Sequence, residues 1–307
     1  MQTRPDILVL GGGGRAADAW LTGVLAGIED ASGFELSSCD YFVGTSAGSV
    51  VAARLSAGQP LSRPVLDDAD APAPQLAPEP SALTDWALAL AGPFASLGLR
   101  IGTPPAAAAR ALGLRLLPHG RAPIGPLLAD ESPSSASRVA DESVAGGVGA
   151  AAATPWDGRL RIVAVARRSG RRVVFGSPGA PDASVGQAVR ASCSVPLMFG
   201  PAVIDGVEYV DGGVWSLTNA DVAPAARGAH VLLLSPTASL HGPLSAAFRA
   251  ASRAAQLVEA SALTARRADV RSVAPDRDSA AAIGRALMSS ARLPEILAAG
   301  YRQGLAL

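Results

Sequence analysis

The chain contains no lysine. Its 26 cationic side chains are all arginine, and 26 carboxylates bring the formal net charge to zero. A phosphate loop of the Gly-Lys-Ser/Thr type therefore cannot form. The neutral balance, with no basic patch and no polybasic run along the chain, points away from nucleic acid and gives no sequence signal for anionic membranes. Arginine without lysine, beside abundant Ala, Gly and Pro, reads as a coding bias toward G and C, so arginine counts carry less functional weight than usual. Histidine is scarce: His119, His230 and His241 are the whole set. With only Cys39 and Cys193 beside them, no Cys/His cluster has metal-ligand spacing. Neither a metal nor an organic cofactor is expected. The two cysteines read as free thiols of a reducing compartment, Cys193 being a small buried filler near a pocket. No run is long and apolar enough to span a bilayer. Met1–Asp6 leads directly into a core-like strand, unlike a cleaved signal peptide, so the expected location is the cytoplasm.

Glycine is plentiful, and three of its clusters end strand-like runs. Tyr41-Phe42-Val43 leads into Gly44-Thr45-Ser46-Ala47-Gly48, and a helix-like run follows to about Ala57. Strand, sharp turn and helix are the context a nucleophile elbow needs, with Ser46 at the apex and Gly44 and Gly48 letting backbone pass close on both sides. The helix that starts there favours negative charge at its N-terminus. Ile7–Leu10 runs into Gly11-Gly12-Gly13-Gly14-Arg15-Ala16, followed by a helix to about Ala31 with Trp20, Val24, Leu25 and Ile28 as its apolar face. Bare N–H groups on such a loop suit a phosphate, the oxyanion of a tetrahedral intermediate, or simply a tight turn. The third cluster is Asp211-Gly212-Gly213, after Val207–Val210. There a carboxylate can be held beside a residue on a neighbouring strand end, although Asp-Gly-Gly is also an ordinary turn.

In this order the three segments resemble the patatin-like phospholipase family, whose pattern is G-G-G-x-[KR]-G, then G-x-S-x-G, then D-G-[GA]. The stretch Arg190–Pro201 is also similar to the family's segment before the Asp strand. The chain departs from the pattern at Ala16, which replaces the last loop glycine, and at Ala220, where many members carry Pro after the Asn. The resemblance implies a Ser46–Asp211 dyad, with Gly12, Gly13 and Gly14 as the oxyanion loop and Gly212 and Gly213 allowing a tight approach to the acid. It implies a three-layer α/β/α fold with a largely parallel sheet, and a lipid or lipid-like ester as substrate, met in a transient contact at a membrane surface. Arg15 is a candidate partner for a substrate phosphate or a structural lock on its loop. In an α/β-hydrolase order, His230 or His241 would complete a triad. Two other readings stand beside this one. A catalytically silent family member would bind lipid or act as a scaffold. A dinucleotide module would use Gly11–Ala16, with Glu35 or Asp40 at the ribose, but leaves the other two segments unexplained.

The chain reads as one domain, 1–307. Residues 1–58 look like the start of a three-layer α/β fold. Residues 59–157 hold more than half of the 24 prolines and read as a variable, lid-like Pro/Ala-rich insertion. Within it, Asp67–Pro74 reads as linker, Leu83–Leu97 (anchored by Trp86 and Phe94) and Pro105–Leu117 as helices, and 130–154 as mobile. Then come a hairpin, Leu160–Ala166 with Arg171–Phe175; a helix, Ser184–Ser192, with Ser184 as N-cap; a hairpin around Asp205-Gly206; and a strand, His230–Leu234. Residues 243–307 read as helices, Leu244 to about Val270, Ser279–Ala291 and Pro294–Gly304. Leu257, Val258, Leu263, Ile283, Leu287, Leu293, Ile296 and Leu297 are their expected core contacts.

Overall fold

A computed structural model describes residues 3–64, 104–120, 122, 124, 155–239, 243–284, 287–288 and 290–307. The linker, the Leu83–Leu97 helix, the 130–154 segment and His241 lie outside the described residues. Eight strands form one sheet: β1 Ile7–Leu10, β2 Tyr41–Thr45, β3 Leu160–Ala166, β4 Arg171–Phe175, β5 Ala202–Ile204, β6 Val207–Asp211, β7 His230–Leu234 and β8 Asp269–Val273. Their order is β5-β6-β3-β2-β1-β7-β8, with β4 paired to β3 off this path. The five strands from β3 to β8 in this order run parallel; β4 and β6 are antiparallel to β3.

The sheet is buried on both faces, as near-continuous apolar strands require. Leu8, Leu10, Phe42 and Ile162 face one core, with helices α1 Gly14–Ser32 and α2 Ala47–Ser56. Ile7, Val9, Val43, Val163 and Leu233 face the other. The remaining helices are α3 Pro104–Leu116, α4 Val185–Ser192, α5 Pro243–Ala265, α6 Arg277–Ile283 and α7 Leu293–Leu305. Leu263 of α5 packs on the second face, completing three layers. None of the described helices is long and apolar enough to cross a membrane.

Most elements lie where the sequence places them. Ser184 caps α4 in a reciprocal capping box with Gln187. Asp205 and Gly206 both take positive φ, 48° and 73°, as a two-residue hairpin turn demands. The C-terminal part differs in three ways. The helix expected to reach Val270 ends at Ala265, and Asp269–Val273 is a strand on the edge of the sheet beside β7. Arg267 at φ 64° makes the turn between them. The helix expected over Ser279–Ala291 stops at Ile283, where Gly284 takes φ 59°. On α5 the inward stripe is Ala255, Glu259 and Leu263, spaced by four; Leu257 and Val258 fall off it and are 68% and 37% exposed. The other six expected contacts of this region are buried.

Candidate active site

The register of β3 brings the two candidate groups together. β2 pairs with β3 up to Thr45 opposite Val163. β6 pairs with β3 from Asp211 opposite Ala164. β4 pairs with β3 over Ile162–Ala166 and so must occupy the other side. β2 and β6 therefore share one side of β3 and meet end to end at consecutive residues. Ser46 follows directly from Thr45, so it leaves the sheet where Asp211 arrives.

Ser46 sits at φ 52°, ψ −125°, a region costing a side-chain-bearing residue about 1–3 kcal/mol. Its neighbours hold it there. The Ser46 N–H donates to Ser192 Oγ at 2.9 Å, and that hydroxyl donates to the Val163 carbonyl at 2.6 Å. The Ser46 carbonyl accepts from Ser49 N–H at 2.8 Å and from Ser49 Oγ at 2.6 Å. Two residues after Ser192, the Ser194 carbonyl accepts the Asp211 N–H at 2.9 Å. The end of α4 thus fixes both groups, which gives the segment Arg190–Pro201 a physical role. Asn219 is a further tie. Its amide donates to Thr45 Oγ1 at 3.1 Å and to the Gly212 carbonyl at 3.3 Å, joining the serine strand to the Asp turn. Glu259 supports the same loop, accepting from Thr218 Oγ1 at 2.5 Å and Ala220 N–H at 2.8 Å.

The Asp211 carboxylate is fully enclosed. Oδ1 accepts the Gly213 N–H at 2.7 Å, while Oδ2 has no hydrogen-bond partner among the described residues. Burial pushes its pKa up to about 6, against the opposing pull of the Gly213 N–H and the nearby Ser46 hydroxyl. Gly212 has no room for a Cβ against the Val163 carbonyl, and a Cβ on Gly213 would sit 3.0 Å from Asp211 Oδ1.

The glycine loop lies over Ser46: a Cβ on Gly12 would stand 3.0 Å from that of Ser46. Its N–H groups are not equivalent. Gly12 N–H donates to the Leu217 carbonyl at 2.9 Å, so it is not an open donor here, contrary to the sequence-based expectation for this residue. Gly13 and Gly14, at φ 156° and 70°, have no such acceptor among the described residues. They stand at the start of α1, and Ala47 at the start of α2, where N–H groups lack intrahelical partners. Arg15 is half-buried in the first turn of α1 and is already engaged within the chain.

The histidines lie elsewhere. His230 opens β7, at the end of the parallel sheet opposite Ser46, and its Nδ1 lies 3.2 Å from Asp269. His119 is exposed and bonds to neither group. Cys39 and Cys193 are free and buried, and burial pushes both thiols upward, Cys39 to about 12. Among the described residues no group of three His, Cys, Asp or Glu is placed to hold a metal ion.

A sequence model of patatin-like phospholipases matches residues 8–224. No curated protein matches the sequence. Among solved structures, the crystal structure of VipD from Legionella pneumophila is similar at a TM-score of 0.43 and 14% identity. The match covers 99% of this chain and 66% of that one, so the chain spans slightly less than two thirds of the VipD length. The family match covers the glycine loop, the serine turn, the Asp-Gly-Gly turn and every strand from β2 to β6. The chain belongs to the patatin-like phospholipase family, a family of lipid acyl hydrolases.

Proposed function

We propose that the chain hydrolyses carboxylic esters of lipids with Ser46 as nucleophile and Asp211 as general base. The observation that carries this reading is the meeting of β2 and β6 on one side of β3. It sets a strained serine beside a buried carboxylate whose Oδ2 is otherwise unpartnered. Ser46 Oγ attacks the ester carbonyl carbon as its proton passes to Asp211 Oδ2. The oxyanion forms against the N–H groups of Gly13 and Gly14, with the N-terminus of α2 adding to the field. Collapse of the intermediate breaks the ester C–O bond, and Asp211 returns the proton to the departing alcohol. Water then attacks the acyl-serine, again through Asp211, releasing the carboxylic acid and restoring Ser46.

A base with a pKa of about 6 is ionised at neutral pH and still basic enough to take a hydroxyl proton as the bond forms. For a soluble short-chain ester, kcat/KM is expected to rise with pH through a single acid limb centred near 6. The test is the pH–rate profile of the parent beside Ser46→Ala. Turnover unchanged in Ser46→Ala, or a profile flat from pH 5 to pH 7, would overturn the assignment.

A further inference from the structure

Helix α3 is turned the unexpected way out. Arg110 and Leu114 point inward, each 1% exposed, while Leu112 and Leu116 are 60% and 75% exposed. Those two leucines are one turn apart on the same stripe, with Arg115 beside them. Arg110 is held inside by the Gly170 carbonyl at 2.7 Å and by the ring of Trp215, 4.0 Å below its guanidinium. The helix is tied to the β3–β4 turn at two further points: Arg115 Nη2 donates to the Arg168 carbonyl at 2.9 Å, and Arg167 Nη2 to the Leu117 carbonyl at 3.3 Å.

That turn reads Arg167-Arg168-Ser169-Gly170-Arg171-Arg172. Four arginines in six residues make it a short basic run, contrary to the expectation of none; in the fold it meets a further arginine, Arg115, from a distant part of the chain, and a basic patch results. A cavity of about 550 Å³ opens at the junction, lined by Arg115, Arg167, Arg168 and Glu208. Glu208 is spent on Arg167 at 3.0 Å, and Asp221 on Arg172 at 2.6 Å. Among the described residues, Arg115 and Arg168 have no carboxylate partner; Arg171 stands opposite Ala166, on the other face of the hairpin from Arg172 and α3. The patch lies on the side of the sheet toward which the parallel strands run. Val163 stands opposite Thr45, and Arg167 comes four residues later, about 13 Å further along at the usual strand rise.

We infer that this face docks the chain on an anionic lipid surface. Arg115 and Arg168 take phosphate-bearing headgroups at the cavity they line, and Leu112 and Leu116 enter the acyl boundary beside them. Charge complementarity selects this occupant. Two guanidinium groups without carboxylate partners, beside exposed leucines on the same helix, match a surface that is anionic on top and apolar just beneath. A free phosphate would use the arginines and leave the leucines idle. The inference builds on the lipid-ester reading, since docking here brings Ser46 toward the bilayer that holds the substrate.

The test is co-sedimentation of the full chain, as Ser46→Ala so that vesicles stay intact, with phosphatidylglycerol/phosphatidylcholine vesicles and with phosphatidylcholine alone. Preference for the anionic vesicles, weakening as salt rises, is expected. Arg115→Gln/Arg168→Gln should lower partitioning about thirtyfold, and Leu112→Ser/Leu116→Ser about tenfold. The same changes in the active parent should leave short-chain ester hydrolysis in water within about twofold, which also reports that they fold. Equal binding by parent and both variants, or no preference for anionic vesicles, would overturn the docking surface. So would displacement of the parent from vesicles by millimolar inorganic phosphate with the leucine variant unaffected, which would mark a free-phosphate site. A shift from dimer to monomer in the leucine variant would overturn it in favour of a second copy of the chain. Vesicle binding that fails while ester hydrolysis stands refutes the docking alone; the reverse refutes the chemistry alone.

Discussion

Asp211→Asn is expected to lose roughly 10²–10⁴-fold in ester turnover, the usual worth of a positioned general base, and yet to be the more stable protein at neutral pH. Both effects have one cause. The Asp211 carboxyl is buried and holds its proton up to about pH 6, against an ordinary value of 3.8. The folded state therefore binds the proton more tightly than the unfolded chain does. For an acid whose folded pKa is raised, stability is fully present below the unfolded value and is lost as pH rises through the folded one. From well below pH 4 to well above pH 6 the parent gives up about 3 kcal/mol, about two thirds of it between pH 4 and pH 6, because each unit separating the two pKa values is worth about 1.4 kcal/mol. Asn has no proton to lose. Its amide oxygen still accepts from Gly213 N–H, and its NH2 can face Ser46 Oγ. The stability advantage of the variant over the parent should be small near pH 4, grow to pH 6 and then level off. Urea unfolding of both proteins at a series of pH values measures it. A variant less stable than the parent at every pH would show that the buried carboxylate is not a strained, unpaired base.

Gly48→Ala is expected to cost at least about 3 kcal/mol, above the usual range for overpacking because the new methyl meets backbone. A Cβ at Gly48 has no room against the Leu10 carbonyl and would stand 2.9 Å from the Gly11 carbonyl oxygen. Neither group can turn aside, since both belong to the junction of β1 and the glycine loop. α2 would have to lift from the sheet, carrying Ser46 away from Asp211. Gly200→Ala is the control: its Cβ would meet nothing nearer than the Gly120 carbonyl at 3.9 Å. Denaturant unfolding should separate the two variants clearly. A Gly48→Ala protein within about 0.5 kcal/mol of the parent, the scatter of a neutral surface change, would contradict the close packing of the serine turn.

The serine turn, the Asp turn and the glycine loop are legible in the sequence because each is local: a strand, small residues and a helix in succession. Their meeting is not. It depends on β6 joining β3 where β2 leaves it, a register between segments more than a hundred residues apart. Ser192 and Asn219 stay hidden for a related reason. Each acts by hydrogen bonds that span the fold, and Ser or Asn at an element end is unremarkable in sequence. The occupied Gly12 N–H depends on the Leu217 carbonyl, which no local pattern places. β8 gives no clear strand signal because it is an edge strand of mixed polarity, Asp-Val-Arg-Ser-Val, with only Val273 fully buried. On α5 the apolar pair Leu257-Val258 suggests a face, whereas the inward stripe carries Glu259, a buried carboxylate satisfied by two donors. Arg115 and the Arg167–Arg172 turn carry no weight as sequence, since arginine is the chain's only cation besides histidine and the patch forms only when α3 packs on the hairpin.

The most direct test of the account is covalent. A fluorophosphonate probe should form one adduct, read by peptide mass spectrometry, on Ser46. The adduct should vanish in Ser46→Ala and form far more slowly in Asp211→Asn. A folded parent that takes no adduct, or one whose Ser46 labels equally fast without the Asp211 carboxylate, would contradict the claim that these two residues form one reactive site.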